Sequence, residues 1–147
     1  HLLGNSPHLE HLQVYHEVDL GLDPFPQGGG VSTAEALWMG IPVVTLSGSA
    51  LPSRITASIL TALGMQDWIA RSDDEYVGIA VRAAADLPRL ARLRQELRGR
   101  VAASAVGDVE SYTRRVEQIY RELWRRWCER PKPSDQETLN ALSLRTL

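Results

Sequence analysis

Between Val18 and Leu46 the chain runs through an apolar segment, a proline-bracketed turn, three consecutive glycines, an amphipathic stretch and a second apolar segment. Val18–Leu22 has the profile of a buried parallel strand and ends at Asp23-Pro24. Pro24, Phe25 and Pro26 stiffen the exit and Gly28–Gly30 make the turn. Val31–Met39 then sets Val31, Ala34, Leu37 and Trp38 along one side of a helix. Gly40 and Pro42 end that helix, and Val43–Leu46 is a second buried strand. A unit of this kind commits the chain to a parallel α/β fold, whose ligands sit at the carboxyl ends of the strands. The loops after Leu22 and Leu46 fall there. A helix N-terminus leaves backbone N–H groups unpaired and carries about half a positive charge. Glycines beside it permit positive φ and close approach of an anion. The segment therefore predicts a phosphate site, with Ser32 and Thr33 opening the helix.

The flanking sequence extends this plan. Gly4-Asn-Ser-Pro7 marks a turn before a short helix at Leu9–Tyr15. Ser47–Ser53 is a loop leading into a helix over Arg54–Leu63, closed by Gly64. Asp67–Ala70 fits either a strand or a helical turn. Ser72-Asp-Asp-Glu75 is a capping box that starts a helix reaching about Ala85, and Pro88 suits the first turn of the next. That helix turns Leu90, Leu93 and Leu97 inward and its arginines outward. Val109, Tyr112, Val116, Ile119, Leu123 and Trp127 repeat at helical spacing through a last helix, Val109–Cys128. Helices dominate the back of the chain, so the fold expected is a Rossmann-like parallel sheet with a helical C-terminal cover. The lobe takes in residues 1–130, and 131–147 reads as a flexible polar tail.

The bulk properties narrow the functional classes. At 147 residues, 44% hydrophobic and 23% charged with net charge −2, the chain is one globular domain long and offers no basic surface for nucleic acid or acidic lipid. No apolar run approaches the ~20 residues of a membrane span. A single cysteine, Cys128, excludes an internal disulfide and fits a reducing compartment. The chain begins at His1 rather than methionine, as a fragment or a processed piece would.

Asp19-Leu-Gly-Leu-Asp-Pro-Phe-Pro26 and Gly29-Gly-Val-Ser-Thr-Ala-Glu-Ala-Leu-Trp-Met-Gly-Ile-Pro-Val-Val-Thr-Leu46 resemble the C-terminal lobe of the O-GlcNAc transferase family, bacterial members included. Ser53-Arg54, Ser58–Gly64, Glu75-Tyr76 and the Tyr112…Tyr120…Trp124 pattern continue the likeness over roughly residues 7–128. The resemblance implies the donor-binding lobe of a two-lobed GT-B glycosyltransferase, one that moves N-acetylglucosamine from UDP-GlcNAc to serine or threonine hydroxyls of proteins. It implies a cytoplasmic enzyme with no required metal or other cofactor. Its partners would be an N-terminal catalytic lobe, an array of tetratricopeptide repeats and a protein acceptor. Gly29, Gly30, Val31, Ser32 and Thr33 then fall at the UDP phosphates, Glu35 at the ribose hydroxyls, and His8 and His11 near the nucleotide. Arg54 is a further phosphate or sugar contact. The catalytic residue is not identified. Val31 stands where the family has threonine, and His8 where it has lysine.

Each assignment has a plainer rival. Ser32 can cap its own helix, and Glu35 can be a carboxylate favoured by the helix dipole. Arg54 can pair with a nearby carboxylate. His1, His8, His11 and His16 crowd the N-terminus at spacings that match no zinc signature. Asp19 and Asp23 invite an acid–base reading, but Asp23-Pro24 favours a strand-ending turn. Trp38 and Trp124 read as core. Two other functions stay open on this basis: a relative using another donor such as GDP-fucose, and a non-catalytic scaffold that keeps the fold.

Overall fold

The computed structural model describes residues 3–130, so the expected tail at 131–147 lies outside the described residues. The chain divides into two compact units, His1–Val109 and Glu110–Leu147. In the first, α1 (His8–Val14) leads through a 3₁₀ turn to β1 (Gly21–Leu22), followed by α2 (Val31–Trp38) and β2 (Val43–Leu46). A 3₁₀ turn at Leu51–Arg54 runs into α3 (Ile55–Ala62), and β3 (Ile69–Ala70), α4 (Asp73–Ala85) and α5 (Leu87–Ala103) complete the unit. The strands order as β1-β2-β3, with both pairings parallel: Gly21 opposite Val43 and Thr45 opposite Ile69. This is the parallel α/β sheet expected. The Asp67–Ala70 ambiguity resolves into both readings, a 3₁₀ turn at Gln66–Trp68 followed by β3.

The core forms where α3 and α4 pack on β2 and α5 packs on α2 and α4. Leu37, Val44, Leu60 and Leu97 have no exposed surface, and Trp68 and Met65 keep only 2%. Local signals set the helix ends. Ser72 Oγ accepts from the Glu75 N–H, while the Glu75 carboxylate accepts from the Arg71 N–H, so the capping box is closed one residue further out than usual. Asp86 caps α5 and Pro88 sits in its first turn. Gly40 and Gly64 adopt φ of +87° and +69° after α2 and α3, the left-handed conformation that a helix stop requires.

Three expectations need correction. The first strand is two residues long and not buried: Leu22 is 59% exposed, because β1 pairs with β2 alone among the described strands. On α2 the buried residues are Thr33, Ala36 and Leu37 rather than a stripe through Val31 and Trp38. Trp38 is half-exposed under the Arg98 guanidinium, whose Nε donates to the Trp38 carbonyl. Trp124, expected in the core, is exposed on α6 (Val109–Glu129), which buries none of its residues.

Candidate functional site

The loop that joins β1 to α2 is held by a buried carboxylate. Asp23 follows the strand and keeps 5% of its surface. Its Oδ1 accepts from the Gly29 N–H at 2.7 Å, and its Oδ2 accepts from the Thr45 hydroxyl at 2.7 Å. Thr56, on α3, donates to the Gly29 carbonyl at 2.9 Å, and its oxygen lies 3.1 Å from that of Thr33. Asp23 is thus the structural turn residue anticipated, and Asp19, exposed beside Arg94, takes no part.

The glycines serve this packing rather than unusual dihedrals. None of Gly28–Gly30 has positive φ, contrary to expectation. A Cβ on Gly28 would lie 2.6 Å from Asp23 Oδ2, and one on Gly29 would lie 2.6 Å from Thr33 Oγ1. A Cβ on Gly30 would meet only the Ile55 side chain, at 3.7 Å. Gly28 and Gly29 are therefore required for close approach of the loop to its own polar core, and Gly30 stands at the open side.

Beyond Gly30, the first helical hydrogen bond of α2 runs from the Ala34 N–H to the Gly30 carbonyl. The N–H groups of Val31, Ser32 and Thr33 precede it and have no intrahelical acceptor. Ser32 is exposed there, as is the Val31 side chain. Two residues of the expected phosphate set are otherwise engaged: Gly29 is bonded through both its N–H and its carbonyl, and the Thr33 hydroxyl is buried against Thr56. What these bonds leave is Gly30, Val31 and Ser32, with the backbone N–H of Thr33.

Glu35 lies one turn further along α2, and His8 reaches it from α1 with Nε2 2.8 Å from Oε1. His11, one turn on from His8, sets its ring edge-on against Tyr15 at 5.6 Å. The Tyr15 hydroxyl points to the Ser32 carbonyl, with 3.4 Å between the oxygens. Burial, and then the Glu35 carboxylate, hold the Tyr15 hydroxyl above its usual pKa. So His8, His11, Ser32 and Glu35 do come together, and Tyr15 is the residue that links them. Its spacing of four from His11 and seven from His8 puts it on their face of the helix, a signal the sequence reading passed over.

Arg54 stands in the turn before α3. With Ser47, Ser58 and Arg71 it lines an open cleft of about 970 Å³ at the carboxyl ends of β2 and β3. The rival reading gave it a carboxylate partner, and it has none among the described residues. No group of three or more His, Cys, Asp or Glu that could hold a metal occurs among them either. None of the described helices is long and apolar enough to cross a membrane.

The profile of glycosyl transferase family 41 matches residues 4–116, which include every residue of this site. The chain belongs to that family. It is 42% identical over 125 residues to a rice (Oryza sativa subsp. japonica) protein named "Probable UDP-N-acetylglucosamine--peptide N-acetylglucosaminyltransferase SPINDLY", covering 85% of this chain and 14% of that protein. It is 34% identical to the Caenorhabditis elegans UDP-N-acetylglucosamine--peptide N-acetylglucosaminyltransferase, over 89% of this chain and 11% of the worm protein. A mutant of Thermobaculum terrenum O-GlcNAc transferase superposes with a TM-score of 0.79 at 39% identity, covering 86% of this chain and 24% of that one. The chain thus spans about one seventh of the length of its rice relative.

Proposed function

We propose that this family 41 lobe holds the UDP moiety of UDP-GlcNAc for transfer of the sugar to serine or threonine hydroxyls of proteins. The observation that carries the reading is the meeting of an open helix N-terminus with Glu35 and the two α1 histidines on one patch. The N–H groups of Gly30, Val31 and Ser32, with the Ser32 hydroxyl, receive the diphosphate. Fixed dipoles aimed at a departing diphosphate need no reorganisation as its charge grows, and need no metal. Glu35 serves the ribose. His8 occupies one lone pair of Oε1, Oε2 has no partner among the described residues, and a carboxylate accepts about four hydrogen bonds in all. Room therefore remains for a vicinal diol. His11 and Tyr15 border the nucleotide on the α1 side. Arg54 reaches toward the sugar or acceptor from the neighbouring cleft.

The general base and the acceptor site belong, on this reading, to a preceding catalytic lobe, with tetratricopeptide repeats before it. Residues 1–130 form the donor lobe, and the enzyme works in the cytoplasm. The family relatives' names support the donor and the reaction class. Calorimetry of the full-length protein with UDP and GDP tests the assignment. UDP is expected to bind in preference to GDP, and Glu35→Ala to weaken UDP by about 1–3 kcal/mol, the scale of a lost hydrogen bond to a charged group. Wild-type protein that binds neither nucleotide would overturn the donor reading.

A further inference from the structure

The hydroxyl of Thr56 lies on a different element from the glycine turn and 27 residues away in sequence, yet its hydrogen bond ends on the turn's backbone. The Gly29–Gly30 peptide is trans, so the Gly29 carbonyl and the Gly30 N–H point in opposite directions from one plane. Thr56 draws that carbonyl toward the buried side. The Gly30 N–H is thereby turned away from the core, toward the side where a Cβ on Gly30 would find only Ile55. Asp23 fixes the preceding peptide plane through the Gly29 N–H, and Thr45 holds Asp23. Because Thr56 spends its proton on Gly29, Thr33 must be the donor to Thr56, which turns the Thr33 side chain inward and anchors the first turn of α2. Both peptide planes around Gly29, and the start of the helix, are set from behind by four side chains that never face the open side.

We propose that Thr56 is a positioning residue for the anion-binding end of α2: it aims the Gly30 N–H at the diphosphate, with Asp23 and Thr45 holding the same turn. This deepens the donor reading and rests on it. A hydroxyl that merely stabilised the fold would affect every ligand alike. A hydroxyl that aims one N–H affects only ligands with a phosphate to receive it.

The experiment compares UDP with uridine on the full-length protein, wild type beside Thr56→Val and Thr56→Ser. The expected result is a Kd for UDP raised about tenfold by Thr56→Val, the equivalent of one hydrogen bond, with uridine unchanged. Thr56→Ser keeps the hydroxyl and is expected to restore UDP binding. If Thr56→Val fails to fold, Thr45→Val loosens the same turn from the Asp23 side and is read in the same way. Folded variants that bind UDP as tightly as wild type, or that lose UDP and uridine equally, overturn the inference while leaving the donor reading in place. Wild-type protein that binds no UDP overturns both.

Discussion

Helices α5 and α6 look alike in sequence and behave differently in the structure. Each sets apolar side chains at helical spacing among arginines and other polar residues. On α5, Leu90, Leu93, Leu97 and Val101 are all buried, Leu97 completely. On α6, Tyr112, Leu123, Trp124 and Trp127 each expose more than half of their surface, and no residue is buried. Periodicity reports that a helix has an apolar face; it does not report what covers that face. α5 is covered by α2 and α4 of its own unit. What α6 does have is local support. Glu110–Arg114 and Glu117–Arg121 pair across one turn with the acid N-terminal to the base, the favourable order on a helix, and each contributes about 0.3–0.5 kcal/mol.

The sharpest test is the same truncation on both helices. Leu97→Ala is expected to lose about 2–5 kcal/mol, the lost transfer energy of the side chain plus the cavity it leaves. Leu123→Ala, at a position 53% exposed, should change stability by about 0.5 kcal/mol or less. Urea unfolding of the two variants measures both. Equal losses would break the comparison and show that the α6 face is covered.

A second pair of substitutions asks how tightly α5 is seated. Gly40 and Gly64 both have positive φ, where any L-residue costs about 1–2 kcal/mol. The space around them differs. A Cβ on Gly64 meets nothing within 4 Å, whereas one on Gly40 would lie 2.5 Å from the Arg94 carbonyl in the backbone of α5. Gly64→Ala should therefore show the conformational cost alone. Gly40→Ala should exceed it by at least about 1 kcal/mol, the low end for forcing extra volume into a packed site. Thermal unfolding ranks the two. A Gly40→Ala no worse than Gly64→Ala would mean that α5 yields readily.

The same contrast explains what the sequence could and could not reveal. Turn and cap residues act through their own neighbours, so Gly40, Gly64, the Ser72–Glu75 box and Pro88 placed the helix ends to within about two residues, the usual spread of such boundaries. Strand β2, flanked on both sides, matched its expected limits. Strand β1 did not, because an edge position is a property of the sheet and not of the residues in it. In the site, His8 and His11 were named from the family resemblance rather than from helix spacing, and the glycine run marked the loop. Asp23 was legible as a turn residue, but its helpers were hidden, since Thr45 and Thr56 come from separate segments and reach the loop only through β2 and α3. The internal bonds of Gly29 and of the Thr33 hydroxyl were hidden for the same reason: their partners are remote in sequence.

Tyrosine hydroxyls give the finest version of the comparison, because one oxygen can be removed with little change in shape. Tyr76, on α4, donates to the Asp23 carbonyl at 3.0 Å and packs its ring edge-on against Phe25. Tyr120, on α6, is 68% exposed and its hydroxyl has no partner among the described residues. Tyr76→Phe is expected to lose about 0.5–1.5 kcal/mol at neutral pH, and Tyr120→Phe should be silent within about 0.5 kcal/mol. Burial, and then the Asp23 carboxylate, raise the Tyr76 pKa above its ordinary value of 10.0. Above that ordinary value the unfolded chain releases the proton while the folded chain keeps it. The unfolded state then binds fewer protons, so stability falls as pH rises from about 10 through the folded pKa. Below pH 10 the contribution is fully present. Tyr76→Phe removes this part of the alkaline decline, so its stability curve should converge on that of wild type above pH 10. A constant gap between the two curves would show that folding does not raise the Tyr76 pKa.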